Sequence, residues 1–329
     1  MIITRTPFRV SFFGGGTDYP VWYKKNGGAV LATTINRYCY ITLRRLPPFF
    51  EHRHRIVYSK TEYVQELDEI QHPSVRECFR HTDVKVGLEL HHDGDLPART
   101  GLGSSSSFTV GLLKALFAFQ GKMVSKKELA LAAIHVEQNV IRENVGSQDQ
   151  TLAAYGGLNL IKFSGDVSNH ITVEPLSISK ERIDELESHL MLFFTGFSRT
   201  ASELAGHQIK ATPKKKAELK AMHTLVNEAT QILCSQGDLK EFGALLNETW
   251  MLKRKLTERI TNESIDNIYD TAIKAGAIGG KLLGAGGGGF ILFFITPEKR
   301  AEVKEALGLL HVPFQIEWQG SQVIFYDPD

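Results

Sequence analysis

The stretch LPARTGLGSSSS, residues 96–107, decides how the rest of the chain is read. Ahead of it, Val84, Val86, Leu88 and Leu90 alternate with Lys85, Gly87, Glu89 and His91, the period-two pattern of a half-buried strand. Behind it, an apolar run from Phe108 to Phe119 closes at Gly121, which predicts a largely buried helix with a C-terminal glycine. Between them, Gly101 and Gly103 permit a tight turn and Ser104 to Ser107 fall at the helix start. First-turn amides lack internal partners and the helix dipole is positive there. Gly101, Leu102, Gly103, Ser104, Ser105 and Ser106 therefore suit an anion such as phosphate. An ordinary helix cap with spare serines accounts for the same residues, and this segment alone leaves both readings open.

Two further glycine clusters frame that loop. FGGGTD at 13–18 follows a strand with Phe8, Val10 and Phe12 on one face and Arg9 and Ser11 on the other. GAGGGG at 284–289 precedes the apolar strand FILFFI. Familiar phosphate loops are absent: there is no GxxxxGKS or GxxxxGKT, and no HRD or DFG triplet of the protein kinases. Gly284, Gly286 and Gly289 fit GxGxxG, but a strand follows where a dinucleotide fold needs a helix.

Working outward, residues 29–45 and 156–163 read as strands, and Ser125 with Glu128 forms a capping box opening a helix that runs to about Arg142. Ser147 and Gln150 repeat the pattern and predict a third helix. Polar SISKERIDELES leads into the strand LMLFF. Leu219, Met222, Val226, Ala229 and Leu233 then mark one helical seam, and Phe242, Leu245, Leu246, Thr249 and Trp250 mark the next. A helix opened by Pro297 and two short strands finish the chain. The 329 residues fit two α+β domains, placed at 1–180 and 181–329.

Composition narrows the function. Lys plus Arg number 38 and Asp plus Glu 37, so no broad basic face for nucleic acid is expected. No apolar run reaches membrane-spanning length, and the N-terminus MIITRTPFRVSF lacks a charged head followed by an apolar signal core. Cys39, Cys78 and Cys234 lie far apart, as reduced thiols in a cytoplasmic protein do.

Two acidic residues and one basic residue stand out. Glu137 has Ala133, Ile134, Val140 and Ile141 as its helical neighbours, and a carboxylate in an apolar stripe is costly unless paired, protonated or bound to a cation. A snorkelling side chain is the plain alternative; beside a hydroxyl-rich phosphate loop, a magnesium ligand is the better reading. Asp149 falls in the first turn of its helix, where ordinary capping would also put it. Arg9, just ahead of the first glycine cluster, reads singly as an exposed strand cation.

Together, PFRVSFFGGGTDYP at 7–20, LPARTGLGSSSS at 96–107 and KLLGAGGGGF at 281–290 resemble the three ordered motifs of the GHMP small-molecule kinases. Within that family, the triple-glycine GGGTD and the four-serine loop are most similar to the members acting on a heptose 7-phosphate; galactokinases carry GEHTDY where this chain has GGGTDY. The resemblance implies a ribosomal-protein-S5-like N-terminal domain and a ferredoxin-like C-terminal domain, with ATP and a sugar phosphate meeting between them. It implies that residues 101–106 wrap the ATP phosphates and that Ser105 and Glu137 hold Mg²⁺. Asp149 would remove or orient the acceptor proton, with Arg9 beside it. Gly15, Gly16, Thr17, Asp18, Gly286 and Gly287 would contact the sugar or shape the floor beneath it.

A phosphorylated acceptor calls for a further cation. Arg199 in TGFSRTAS follows a strand end and has the best context; Lys281 and the stretch with Arg44, Arg45, Arg53 and Arg55 are the other candidates, the last reading more simply as a solvated hairpin. The histidines at 52, 54, 91 and 92 read as structural or surface residues. The expected activity is transfer of the ATP γ-phosphate to the anomeric hydroxyl of a heptose 7-phosphate. A kinase for another sugar, such as fucose, and a non-catalytic sensor on the same fold are the alternatives. Whether the protein is a monomer or a homodimer is left open.

Overall fold

The computed structural model describes residues 1–165, 171–196 and 201–327, so Arg199 lies outside the described residues. Strand β1 (Ile2–Phe13) runs antiparallel to the long β2 (Gly28–Arg45), joined to it through the first glycine cluster and helix α1 (Pro20–Asn26). Phe8, Val10 and Phe12 are buried as their alternation predicts, but Arg9 and Ser11 on the opposite face are only 5% exposed. Both faces of β1 are covered, and Arg9 is no surface cation.

Next come β3 (His54–Val57), β4 (Thr61–Val64), α2 (Pro73–His81) and β5 (Leu88–Gly94). β5 pairs with the second half of β2, and β3 joins β5 in parallel. The strand expected to begin at Val84 starts at Leu88. Gly87 crosses the preceding chain so closely that a Cβ there would lie 2.5 Å from the Arg53 carbonyl oxygen. Helix α3 (Ser104–Phe119) packs across β1 and β2, starting from Gly103 in the left-handed region.

Helix α4 (Lys126–Ile134) opens with both reciprocal bonds of the Ser125–Glu128 capping box. The helix continues as a π-helical turn over His135–Ile141, which ends at Arg142 with φ +62°. Helix α5 (Gln148–Tyr155) begins where Ser147 predicted it, but not through a capping box. The Ser147 hydroxyl instead lies 3.2 Å from the Tyr23 hydroxyl and accepts from Gln138, and the Gln150 amide turns to Glu137. β6 (Leu158–Phe163) pairs with the first half of β2, and β7 (Ile171–Pro175) with β6.

In the second half, SISKERIDELES is a helix, α6 (Lys180–His189), capped by Ser179 and burying Leu186. It leads to β8 (Leu190–Phe194), α7 (Ala201–Ala211), α8 (Lys216–Cys234), α9 (Lys240–Arg254) and α10 (Glu263–Lys274). β9 (Ala277–Leu282), β10 (Phe290–Ile295), α11 (Arg300–Leu307) and β11 (Leu310–Val312) complete an antiparallel sheet ordered β11–β8–β10–β9, the ferredoxin-like arrangement. The last strand, β12 (Gln322–Tyr326), returns to pair with β1. The fold is thus α+β, with the larger sheet ordered β12–β1–β2–β5–β3–β4 and β6 and β7 branching from β2.

Phe242 of α9 meets Phe12 and Phe13 edge-on, at centroid distances of 5.6 and 5.0 Å. This aromatic contact fixes the end of β1 against the second sheet's helices and so sets the first glycine cluster between the two halves. Among the described residues no helix is long and apolar enough to cross a membrane.

Candidate active site

Arg9 and Asp149, 140 residues apart, form a two-pronged pair. Arg9 Nε donates to Asp149 Oδ1 and Nη2 to Oδ2, both at 2.8 Å. Such forked geometry fixes orientation as well as charge. The third guanidinium nitrogen donates to the Gly101 carbonyl at 2.6 Å, and the Arg9 backbone amide to that of Leu102 at 3.0 Å. The serine loop is therefore tied to β1 at two points. Gly103, with φ +76°, lies so near the pair that a Cβ would be 3.1 Å from Arg9 Cγ and 3.4 Å from Asp149 Oδ2. The Asp149 side chain keeps 24% exposure, so its carboxylate stays open to solvent although Arg9 holds it.

The four serines do four different things. Ser104 Oγ accepts from the Arg99 amide, Ser105 is exposed, Ser106 Oγ donates to Glu137 Oε2 at 2.8 Å, and Ser107 Oγ donates to the Pro7 carbonyl. It is Ser106, not Ser105, that meets Glu137. The Ser107 amide bonds the Gly103 carbonyl, leaving the amides of the turn before it at the positive end of α3.

Glu137 sits on the π-helical turn and is wholly buried. Gln150 also donates to its Oε2, while Oε1 has no hydrogen bond. Burial pushes its pKa up to about 7. An orphaned, wholly buried carboxylate oxygen beside a serine hydroxyl, next to a helix start suited to phosphate, is a donor set that fits Mg²⁺. Among the described residues no cluster of three acidic, histidine or cysteine side chains could hold a metal unaided, so phosphate oxygens would have to complete the shell.

On the acceptor side, Asp18 is 2% exposed and accepts from the Gly16 amide at 2.9 Å. Burial, reinforced by the charge of Asp149, raises its pKa to about 6. Gly146 presses on it: a Cβ there would fall 1.8 Å from Asp18 Oδ2. Thr17 is turned inward, its hydroxyl 2.8 Å from the carbonyls of both Gly14 and Ala29, which locks the turn. Gly16 is covered by Gln208 and Leu219, and Gly15 is left half-buried. Gly286 and Gly287 pack on the backbone of Ile260, whereas Gly284 and Gly289 meet the serine-loop stretch, a Cβ on the first lying 2.5 Å from Gly101 Cα and on the second 2.2 Å from the Thr100 carbonyl oxygen.

A cavity of about 620 Å³ opens beside Tyr19, with Lys24, Ile134, Gln138, Glu143 and Ile209 in its walls. Burial raises the Tyr19 hydroxyl well above its ordinary pKa, helped by the charges of Asp18 and Asp149. Other expected cations are engaged elsewhere. Lys281 is 2% exposed and donates to the Phe12 carbonyl at 2.7 Å, while Arg44 and Arg55 both pair with Glu89. Sequence reasoning missed Lys253, also buried, which donates to the carbonyls of Leu282 and Gly284. Its spacing from Thr249 and Trp250 on the α9 seam was the available signal.

A phosphate-suited loop, an arginine-held carboxylate and a buried acid gathered close together fit a phosphotransferase that uses a hydroxyl acceptor. Residues 70–157 match the GHMP kinases N terminal domain and residues 228–310 the GHMP kinases C terminal domain. The chain is 31% identical over 317 residues to the D-glycero-alpha-D-manno-heptose 7-phosphate kinase of Campylobacter jejuni, covering 93% of each. Its fold superposes on a D-glycero-D-manno-heptose 1-phosphate kinase from Bacteriodes thetaiotaomicron with a TM-score of 0.79 at 26% identity, covering 99% of this chain and 100% of that one. A putative sugar kinase from Campylobacter jejuni gives 0.69, also at 26% identity, covering 98% and 97%. The chain belongs to the GHMP kinases, whose members take ATP as phosphate donor, and its relatives make it a sugar kinase of that family.

Proposed function

We propose that this enzyme transfers the γ-phosphoryl group of ATP to the C1 hydroxyl of D-glycero-D-manno-heptose 7-phosphate, giving the 1,7-bisphosphate for nucleotide-activated heptose synthesis in the cytoplasm. The observation that carries this reading is the forked Arg9–Asp149 pair lying directly against Gly103 at the start of α3. It puts a fixed carboxylate beside the position the helix amides offer to a phosphate.

In this reading, the amides and hydroxyls of residues 101–106 receive the ATP phosphates. Ser106 and Glu137 would hold Mg²⁺, which would supply charge neutralisation on those phosphates. Ser105, exposed at the helix start, is left to the nucleotide side. Phosphoryl transfer demands chiefly alignment and charge compensation, so the remaining residues position and polarise. Asp149, with an oxygen on each arm of Arg9, takes or orients the proton of the acceptor hydroxyl at its solvent-open lone pairs. Asp18 and the Gly15–Gly16 backbone bind sugar hydroxyls, and the cavity beside Tyr19 receives the far end of the acceptor. Lys24 brings a cation to that cavity wall, and Arg199 is the other candidate for the acceptor's own phosphate. The division near residue 180 separates the two domains, with β12 rejoining the first.

The test is ADP release with ATP and Mg²⁺ over a panel of heptose 7-phosphate, heptose 1-phosphate, unphosphorylated heptose and fucose. Preferred turnover of the 7-phosphate is expected. A preference for an unphosphorylated sugar would overturn the assignment, and no release with any sugar would favour a sensor.

A further inference from the structure

Lys253 belongs to none of the three glycine motifs, yet it binds the third where that motif touches the second. It lies in the last turn of α9, 4% exposed, with Nζ 3.0 Å from the Leu282 carbonyl and 2.6 Å from that of Gly284. These two carbonyls flank the start of the glycine strap 284–289. Directly beyond them the strap touches the serine loop. A Cβ on Gly284 would lie 2.5 Å from Gly101 Cα, and one on Gly101 would lie 2.6 Å from the Leu283 carbonyl. Gly101 is the residue whose carbonyl Arg9 holds while gripping Asp149. The far end of the strap is fixed separately, by the Phe290 amide on the Thr100 carbonyl and the Gly287 amide on that of Ile260.

The charges around Lys253 come from several elements. Burial and the positive charge of Arg9 on β1 pull its pKa down to about 7, and Asp18 opposes them. The Lys281 ammonium on β9 lies within the same field, and its own proton affinity is lowered well below the ordinary value by burial and by Lys253. A lysine kept among other cations, with its hydrogens given to carbonyls, is costly unless it holds something in place.

We propose that Lys253 is a positioning residue for phosphoryl transfer: by holding the Leu282 and Gly284 carbonyls from α9, it presses the glycine strap onto Gly101 and sets the register of the phosphate loop. The proposal rests on the nucleotide reading of that loop. It predicts an effect on the nucleotide side of the reaction that a merely stabilising lysine would not have.

The test varies ATP at saturating sugar, and sugar at saturating ATP, in wild type and in Lys253→Met, which keeps the length of the apolar stem without its donors. Folding of the variant is checked by near-ultraviolet circular dichroism. The expected result is an apparent KM for ATP raised about tenfold or more, with KM for the sugar within about twofold. A lysine that only stabilised the fold would lower the active fraction and leave both KM values alone, and that outcome overturns the proposal. Should Lys253→Met not fold, Lys253→Leu, which likewise has no donor, is measured in the same way and decided by the same two results. A wild type that releases no ADP from ATP overturns the nucleotide reading and this proposal with it. An active wild type beside an indifferent variant overturns this proposal alone.

Discussion

Glu137→Gln tests the metal site through stability, without requiring turnover. Glu137 is 0% exposed, and burial raises its pKa from 4.5 to about 7. Between those values the native protein holds a proton that the unfolded chain has released, so wild-type stability falls as pH rises through that window. At roughly 1.4 kcal/mol per decade, the interval amounts to about 3 kcal/mol. Glutamine keeps the shape and an oxygen for Ser106 but cannot ionise. Thermal melts at about pH 5 and about pH 8 should therefore show wild type losing about 3 kcal/mol more than the variant, roughly 4 °C of Tm for a chain of this length. Asp18, raised to about 6, titrates in both proteins and cancels in the comparison. Repeating the melts with Mg²⁺ and ATP should shrink the wild-type loss, because a cation beside the carboxylate compensates the charge. Parallel pH dependence in the two proteins would refute the reasoning that Glu137 is a strained, chargeable acid.

Four further substitutions probe the rest of the site. Asp149→Asn should lower kcat by about a thousandfold while ATP affinity, measured by titration calorimetry, stays within about threefold; retention of more than about a tenth of wild-type kcat would remove Asp149 from the proton step. Ser106→Ala should raise the Mg²⁺ concentration for half-maximal activity about tenfold and Ser105→Ala less than about threefold, since only Ser106 touches Glu137; the opposite order would return the metal role to Ser105. Gly284→Ala places a Cβ against Gly101 at φ +70° and should cost about 2 kcal/mol of stability or more and weaken ATP binding; a wild-type melt and KM would show that the strap is not pressed on the loop.

How much of this the sequence discloses depends on whether a feature is local. The β1 alternation and the α4 capping box each rest on a period or a cap within a few residues and are legible, whereas the ferredoxin-like second half is implied only by the resemblance of the glycine motifs. The choice between Ser105 and Ser106 is a matter of helical phase. A run of four serines carries no phase of its own, and only the start of α3 at Ser104 turns Ser106 toward the π-helical turn. Ser147 and Gln150 do not form the expected capping box: they are recruited by Gln138 and Glu137, partners on another element. Helix α6 was invisible because its buried contribution amounts to Leu186 and His189 in an otherwise polar segment. Lys253 escaped because MLKRK at a helix end reads as cations complementing the dipole, although its position continues the buried seam of Thr249 and Trp250.

The charges that sequence reasoning handles worst are the ones that argue most strongly for function. Glu137 and Asp18 are raised and Lys253 is lowered, so in each the environment disfavours the ionised form, with burial as the leading cause. A fold selected only for stability would replace such groups with apolar ones, since burying charge returns little net stabilisation. These three occur around one cleft, and the two signs are distributed as a metal–nucleotide ligand would require. Acidic Glu137 lies against the helix start with Ser106, where a cation would be needed, and the basic Lys253 and Arg9 lie against the strap and Gly101, along the path of an anion. In the proposed reaction Glu137 would face the cation and Lys253 the anionic nucleotide of MgATP, while Asp18 would face the sugar. Binding the complex should relieve these costs together, which makes the stabilisation by Mg²⁺ and ATP jointly larger than the sum of the separate ligands. Additive shifts in Tm for Mg²⁺ alone and ATP alone would sever that link between the strained charges and the proposed reaction.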